Sequence, residues 1–380
     1  MRLAILTSGR QDWGILRSTC QRLKADPAFE LIVLAGGMHA SAAFGRTVTQ
    51  LDDDGCTPDA VLEWLADPDA PAWHAAGLAL HAVGDALARF RPDALLLAGD
   101  RYETLAAAQA ATLLTIPIVH LHGGEETAGA IDNALRHAIS KLSHLHLVSH
   151  ADHAARLIAM GEDPATIHVV GAPGLDNLHR PDLPDRAALE ARLGLTLNPP
   201  VVLVTVHPTT LSADPAADAF AVAAAMGAWP ATYVITLPNA DPGHAAVRTV
   251  MQTAGEGPRR VAVDALGEQF FWGMMQQADI ILGNSSSALI EAPAGHLPAV
   301  TAGARQAARL RDAHVVDVPA DPAAIVAALA QAMDPTWRAG LQALPGLFGD
   351  GHAAARIQAI LTAWVIPHPP LKRWPTPPVG

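Results

Sequence analysis

The sequence has few cysteines, few charges and no long hydrophobic run, and each shortage excludes a class of protein. It has only two cysteines, Cys20 and Cys56, so we predict no disulfide framework and expect a reducing compartment. The net charge of −12 argues against a nucleic acid partner, because binding a phosphate backbone requires a basic face. No apolar run is long enough to span a bilayer, and no signal-peptide core precedes the first strand-like run. We therefore expect a cytoplasmic protein without a membrane partner.

Short apolar runs alternate with longer Ala- and Leu-rich stretches, a pattern typical of parallel strands covered by helices. At 380 residues the chain exceeds one ordinary domain, and the pattern restarts after residues 173–186. We predict an α/β fold with two doubly wound, Rossmann-like domains facing a cleft. Residues 1–175 would carry acid/base groups, residues 176–350 would bind a nucleotide, and residues 351–380 would form a C-terminal helix and a Pro-rich tail. In such sheets, ligands bind at the carboxyl ends of the strands.

A serine-rich turn is the most informative motif. The apolar run at residues 278–282 ends in Gly-Asn-Ser-Ser-Ser, and a helix-forming run follows. Free backbone N–H groups at a helix N-terminus bind anions, and the hydroxyls of Ser285 and Ser286 add donors. Glu291, further along the predicted helix, is placed to accept both hydroxyls of a ribose. The alternative is that the serines only cap the helix and Glu291 is solvated.

Asp100 follows the predicted buried strand Ala94–Ala98. A carboxylate just past a buried parallel strand lies where α/β enzymes keep catalytic groups. The alternative is an N-cap for the next helix.

A cluster of polar residues follows the next strand, at residues 120–126 (His-Leu-His-Gly-Gly-Glu-Glu). Its continuation on the start of a helix adds Asp132, Asn133, Arg136 and His137. Clustered carboxylates perturb one another, so that one can be protonated as an acid while another stays a base. Metal binding is the competing interpretation. We disfavour it and expect no metal at this cluster.

Five other positions are candidates for ligand binding. Arg10 lies between two glycines after the first strand, where a backbone can approach a phosphate and a guanidinium can neutralise it. His207 ends a buried strand and can contact a diphosphate or serve as an acid or base. Asn239 and Arg305 follow later strands. Phe271 lies in an aromatic cluster that could offer a ring to a base, although such clusters are more often core.

Read together, these motifs resemble the UDP-N-acetylglucosamine 2-epimerase family, in particular its hydrolysing branch. The resemblance runs from the first strand to about residue 310, and its specificity lies in the joint order of short motifs. These are Ser8–Gly14, Gly36–His39, Gly99–Glu103, His122–Glu125, Ile131–Lys141, His207–Pro208, Pro238–Asp241, Gly283–Ser286 and Arg305–Gln306.

The resemblance implies a glycosyltransferase-B-like fold and a reaction at carbon 2 of a nucleotide-linked N-acetyl sugar. The carbon-2 proton is removed and the nucleoside diphosphate leaves carbon 1, which gives a glycal. In the hydrolysing branch water then adds, and free N-acetylmannosamine is released, which typically feeds sialic acid synthesis. No cofactor and no metal are implied.

The resemblance also implies roles for individual residues. Asp100, Glu125 and Asp132 match the family's acid/base carboxylates. The family residues that hold the diphosphate correspond to Arg10, His207, Ser285 and Ser286. The family's ribose ligand corresponds to Glu291, and its base-stacking ring corresponds to Phe271. Arg136, Asn239 and Arg305 match motif positions with less defined roles.

This chain departs from its relatives at two positions. Many relatives have Glu at the position of His122 and a second acid at that of Asn133. Whether His122 or Glu125 is the base is therefore open, and Asp132 is the sole acid of its pair. Our hypothesis assigns the proton chemistry to the carboxylates and gives His122 an orienting role.

Three other functions are carried as alternatives: a non-hydrolysing epimerase, a glycosyltransferase of the same fold, and a non-catalytic nucleotide-sugar sensor. A glycosyltransferase would not need this concentration of carboxylates, and a sensor has no use for Asp100 and Asp132 together. We also expect a homodimer or a homotetramer.

Overall fold

The computed structural model describes residues 1–67, 70–126, 131–209, 212–238, 243–307 and 309–372. The chain divides into two compact units. The first comprises Met1–Asp176 and Gly351–Gly380, and the second comprises Asn177–Asp350. The boundary at residue 176 lies inside the segment at residues 173–186 that the sequence marks as a connection.

The first unit has one parallel sheet of seven strands in the order β3-β2-β1-β4-β5-β6-β7. Its strands are β1 (Arg2–Thr7), β2 (Glu30–Gly36), β3 (Ala60–Leu62), β4 (Ala94–Ala98), β5 (Ile118–Leu121), β6 (Leu145–Val148) and β7 (Ile167–Val169). Its first six helices are α1 (Arg10–Lys24), α2 (Thr49–Asp53), α3 (Ala72–Phe90), α4 (Tyr102–Leu113), α5 (Asp132–Leu142) and α6 (Ala151–Ala159).

The second unit repeats the design with six parallel strands in the order β10-β9-β8-β11-β12-β13. Its strands are β8 (Val201–Thr205), β9 (Thr232–Thr236), β10 (Arg260–Val263), β11 (Ile280–Gly283), β12 (Ala299–Ala302) and β13 (Val315–Val318). Its helices are α7 (Arg186–Leu193), α8 (Ala217–Ala228), α9 (His244–Ala254), α10 (Glu268–Gln277), α11 (Glu291–Ala294), α12 (Pro322–Ala332) and α13 (Pro335–Leu341). The predicted α/β class with two doubly wound parallel sheets is confirmed. No helix of the described ranges is long and apolar enough to cross a bilayer.

Both faces of the first sheet are covered, which explains why its strands are continuously apolar. In β4, Leu96 packs into one core with the side chains of α1, and Leu95 and Leu97 pack into the other. The last helix, α14 (Ala353–Ala363), contributes Ile357 and Leu361 to the α1 side. The C-terminal helix, which the sequence-based division listed apart, therefore belongs to the first unit.

The predicted continuous helix after the serine turn is wrong. Ser286–Ala288 form a single 3₁₀ turn, and α11 starts at Glu291 and has four residues. Pro293 explains the break, because it has no N–H to donate to the carbonyl of Leu289, as an α-helix through this segment would require. Glu291 is therefore the first residue of a short helix.

Gly283 allows β11 to approach β8 at the carboxyl end of the second sheet. Gly283 pairs with Thr205 in the parallel register and has φ +146°. A Cβ at this position would lie 1.9 Å from the carbonyl oxygen of Thr205. No L side chain can be accommodated there without moving backbone, so only glycine fits this junction.

We therefore expect Gly283→Ala to destabilise the protein by about 3 kcal/mol or more, because strain and backbone displacement add. The matched control is Gly77→Ala in α3, where an added Cβ meets nothing within 4 Å. That change should stabilise by about 0.5–1 kcal/mol. The measurement is the urea midpoint of each variant. Equal midpoints for the two variants would contradict the close approach.

Candidate active site

The sequence-predicted residues of the first unit meet at one edge of its sheet. Asp100 follows β4 and His122 follows β5, and these strands are neighbours with Ala98 opposite Leu121. Arg10 is the first residue of α1, which follows β1. Strand β1 lies beside β4, on the side of β4 opposite to β5. The topology thus brings the three predicted motifs of this unit to the carboxyl ends of adjacent strands.

A buried arginine joins two of the predicted carboxylates. Arg136 is 4% exposed and forms an ion pair with Asp100. A second nitrogen of the same guanidinium, Nη1, lies 3.5 Å from Oε2 of Glu125. Asp100 does not cap α4, because the N-terminus of that helix has no side-chain cap. The capping alternative is therefore not what the structure shows.

Glu125 lies at the centre of a hydrogen-bonded network of buried side chains. Its Oε1 lies 2.7 Å from Nδ1 of His122 and accepts a hydrogen bond from Oγ of Ser149 at 2.7 Å. Ser149 Oγ is in turn 2.9 Å from Nδ1 of His153. Ser149 follows β6 and His153 lies on α6. Sequence reasoning missed Ser149 and His153, and the position of Ser149 at the end of the next strand was the available signal.

The glycine pair in the His-Gly-Gly-Glu motif allows this loop to pack tightly. Gly124 has φ +74°, and a Cβ there would lie 2.3 Å from the carbonyl oxygen of His153. His122 lies just past β5 and has φ +62°, a left-handed conformation that is uncommon for a side-chain-bearing residue. His122 thus lies outside β5, which ends at Leu121, and does not continue the strand side-chain pattern of His120.

Two carboxylates of this unit are driven toward opposite protonation states. Burial alone would raise the pKa of Glu125, but its contacts with His122 and Arg136 outweigh burial and hold this pKa well below its usual range. Burial raises the pKa of Asp132, and the charge of Asp100 raises it further. Two carboxyl groups whose pKa values are shifted in opposite directions can serve as one proton acceptor and one proton donor.

His120 has a structural role. It is completely buried, with Nε2 2.8 Å from the carbonyl oxygen of Gly99 and Nδ1 3.1 Å from Oγ of Ser140. Burial lowers the pKa of His120 to about 3, so the ring is neutral at neutral pH. Its Nε2–H therefore donates to the residue just before Asp100 and fixes that turn.

The turn after β1 is held by an aspartate that sequence reasoning did not single out. Asp12 accepts hydrogen bonds from the backbone N–H of Ser8, at 2.9 Å, and from its hydroxyl. Burial raises the pKa of Asp12 to about 6, although these hydrogen bonds and the charge of Arg101 lower it. Arg10, two residues earlier, is exposed at the first position of α1 and can meet an anion.

In the second unit, Asn284 clamps the turn that carries His207. Its Oδ1 accepts from the backbone N–H of His207 at 2.7 Å, and its Nδ2 donates to the carbonyl of His207 at 2.9 Å. Nδ2 also donates to Asp218 at 2.8 Å. Asn284 follows β11, the neighbour of β8. The sequence placed Asn284 in the serine turn but did not predict this clamp.

Arg305 contacts this clamp, and Ser285 and Ser286 follow Asn284 in the chain. Arg305 donates to the carbonyls of Pro208 and Asn284 at 3.2 and 3.1 Å, so it ties the two turns together. Ser285 is buried and its Oγ accepts from the N–H of Ser287 at 3.3 Å, as in the capping alternative. Ser286 and Glu291 are half-buried.

The aromatic cluster on α10 divides between core and surface. Trp272 is buried, and Phe270 packs under the guanidinium of Arg192, 4.0 Å from its ring centroid. Phe271 is half-buried, which leaves part of its ring accessible. Asn239 lies outside the described residues.

A family model for UDP-N-acetylglucosamine 2-epimerase matches residues 21–362. A Legionella pneumophila UDP-N,N'-diacetylbacillosamine 2-epimerase (hydrolyzing) is 34% identical over 95% of both chains. A Campylobacter jejuni GDP/UDP-N,N'-diacetylbacillosamine 2-epimerase (hydrolyzing) is 32% identical, covering 83% of this chain and 84% of the relative.

The fold is similar to that of solved nucleotide-sugar epimerases. The crystal structure of UDP-GlcNAc 2-epimerase from Neisseria meningitidis bound to UDP-GlcNAc matches with a TM-score of 0.78. It covers 96% of this chain and 100% of its own, at 19% identity. The predicted glycosyltransferase-B-like fold class is confirmed.

The raised pKa of Asp12 gives a pH dependence of stability. Its folded-state pKa is about 6, against 3.8 for a free aspartate side chain, so the folded state binds this proton more tightly than the unfolded state. Protonated Asp12 therefore stabilises the folded state at pH values below its pKa in the unfolded state. This contribution is lost as the pH rises through its pKa in the folded state. We expect the stability of the wild type, relative to Asp12→Asn, to fall by about 3 kcal/mol across that range. Urea unfolding at several pH values measures this difference, and a pH-independent difference would contradict it.

Proposed function

We propose that this chain, which belongs to the UDP-N-acetylglucosamine 2-epimerase family, is a hydrolysing 2-epimerase. It converts a UDP-linked 2-acetamido sugar into UDP and the free sugar with the opposite configuration at carbon 2. The observation that carries this proposal is the buried cluster of the first unit. Around Arg136, the pKa of Glu125 is held low and that of Asp132 is raised.

Inversion at carbon 2 requires a proton to leave one face of the sugar and another to arrive at the opposite face. Loss of the proton leaves its electron pair in a new bond between carbons 1 and 2. As this bond forms, the bond from carbon 1 to the diphosphate breaks, and its electrons leave with UDP. The raised pKa of Asp132 suits delivery of the new proton, and the His122–Glu125 pair suits removal of the original proton.

The hydrolytic outcome follows if water, rather than UDP, adds back to carbon 1. The oxygen of water bonds to carbon 1, and carbon 2 takes a proton, which yields the free epimerised sugar. This outcome is supported by the two relatives at 34% and 32% identity, both of which carry the word hydrolyzing in their names. A non-hydrolysing epimerase would return UDP to carbon 1 instead.

The nucleotide is assigned to the second unit and to Arg10. The exposed guanidinium of Arg10 and the imidazole of His207 supply positive or donor groups for the diphosphate, and Ser285 and Ser286 add hydroxyls. Glu291 is the ligand for the ribose hydroxyls. Phe271 offers the accessible part of its ring to the base.

Two sugars are candidates for the substrate. UDP-N-acetylglucosamine, giving N-acetylmannosamine, is the first candidate, and UDP-N,N'-diacetylbacillosamine is the second. The second candidate is favoured by the substrate named in both relatives. The two sugars share the 2-acetamido group and differ away from the reacting carbon, so the same proton chemistry serves both.

The test is to incubate the protein with each UDP-sugar in the absence of any acceptor and to identify the products. We expect UDP and the free 2-epimer in equal amounts from one or both substrates. An epimerised sugar still attached to UDP would identify a non-hydrolysing enzyme. Turnover that requires an acceptor would identify a glycosyltransferase, and UDP-sugar binding without turnover would identify a sensor.

The nucleotide assignment predicts that Ser285→Ala and Glu291→Gln weaken UDP binding. Each removes or weakens a hydrogen bond to a charged group, worth about 1.5–3 kcal/mol, which is about ten- to a hundredfold in Kd. Glu256→Gln, at an exposed position of the same unit, is the control and should bind UDP as the wild type does. Titration calorimetry measures the three affinities. Unchanged affinity in both test variants would leave Ser285 as a cap and nothing more.

A further inference from the structure

One buried nitrogen at the candidate site has no partner. Nε2 of His122 is inaccessible to solvent and makes no hydrogen bond to any described residue. Buried polar atoms are almost always paired. The left-handed backbone at His122 (φ +62°) adds a conformational cost of the kind that clusters at active sites. Both features concern the same side chain, next to Glu125.

The hydrogen bonds around Glu125 determine which nitrogen of His122 carries a proton. Glu125 is ionised, since its oxygens contact the Ser149 hydroxyl, the His122 ring and the guanidinium of Arg136, and its pKa is held well below its usual range. An ionised carboxylate only accepts hydrogen bonds. Ser149 therefore donates its hydroxyl proton to Oε1, and the Ser149 oxygen accepts from Nδ1–H of His153. Likewise His122 donates through Nδ1–H, so in the neutral ring its Nε2 carries a lone pair.

Resting on the proposed function, we propose that His122 Nε2 is the base that removes the carbon-2 proton. Glu125, Ser149 and His153 are positioning residues that fix the ring and its tautomer. The Nε2 lone pair bonds the proton, the electrons of the broken C–H bond form the bond between carbons 1 and 2, and UDP leaves with the electrons of its bond to carbon 1. The imidazolium then loses its proton to water. This reverses our sequence-based hypothesis, which gave proton transfer to Glu125 and an orienting role to His122.

Glu125 is poorly suited to be the base itself. Its Oε1 already meets two donors, His122 and Ser149, and its Oε2 faces the guanidinium of Arg136. Each of these contacts stabilises the carboxylate and weakens its affinity for a proton. A carboxylate that orients an imidazole and stabilises its protonated form is the arrangement of hydrolytic Ser-His-Asp triads.

The decisive variant is His122→Asn. The asparagine amide keeps a donor for Glu125, tolerates the left-handed backbone and cannot accept the substrate proton. We expect turnover to fall about 10²–10⁴-fold, as for loss of a positioned general base, with UDP affinity unchanged.

Ser149→Ala tests the positioning role. It should lower kcat by less than His122→Asn does and leave KM unchanged. The matched control is Ser143→Ala, which removes a buried hydroxyl that donates to the carbonyl of Ile139 at 2.7 Å and should leave kcat unchanged.

A second measurement does not depend on turnover. ¹⁵N NMR of the histidine-labelled protein, with the His122 signals assigned by their loss in His122→Asn, reports which nitrogen bears the proton. We expect Nδ1–H and a bare Nε2 in the neutral ring, and a mixture of tautomers in Ser149→Ala.

The outcomes separate this inference from the proposed function. If the wild type converts no UDP-sugar, the proposed function fails, while the NMR result still decides the tautomer. If the wild type is active, a His122→Asn variant with wild-type turnover, or an Nε2–H tautomer, overturns the assignment of His122 as the base.

Discussion

The first unit depends on one buried cation. Arg136, on α5, joins Asp100 after β4 to Glu125 after β5, so a single guanidinium fixes the relative positions of three elements. Removing one partner of such a buried pair typically costs about 3–5 kcal/mol, because the other charge is left unpaired. With the cation in place, Glu125 stays ionised and can hold the His122 ring. The protonation pattern of the candidate site thus follows from one ion-pair network.

The two units share a sheet topology but build their turns differently. In the first unit the turns are joined by charges. In the second, a neutral amide, Asn284, holds both backbone groups of His207, and Arg305 spans the same turns through their carbonyls. The turns of the second unit are therefore held through amide, guanidinium and backbone groups, with the carboxylate of Asp218 as a further acceptor of Asn284.

The fold could be predicted from the sequence because buried parallel strands have continuous apolar sequences. The bounds of β4 agree with prediction, and the family is confirmed by the comparisons. The broken helix before Pro293 was missed because periodicity does not register a single lost N–H. The contact between Ser149 and Glu125 could not be read from the sequence, since residues 24 positions apart are joined by strand order rather than by spacing. The roles of the individual site residues stay predictions.

The central claim is that the reaction removes and replaces the proton at carbon 2. The most direct measurement is to run the reaction in deuterium oxide and to determine by NMR where the free sugar carries deuterium. The account predicts one deuterium at carbon 2, because the proton taken by the enzyme exchanges with solvent before carbon 2 is protonated again. A product with ordinary hydrogen at carbon 2, or with deuterium at another carbon, would contradict it.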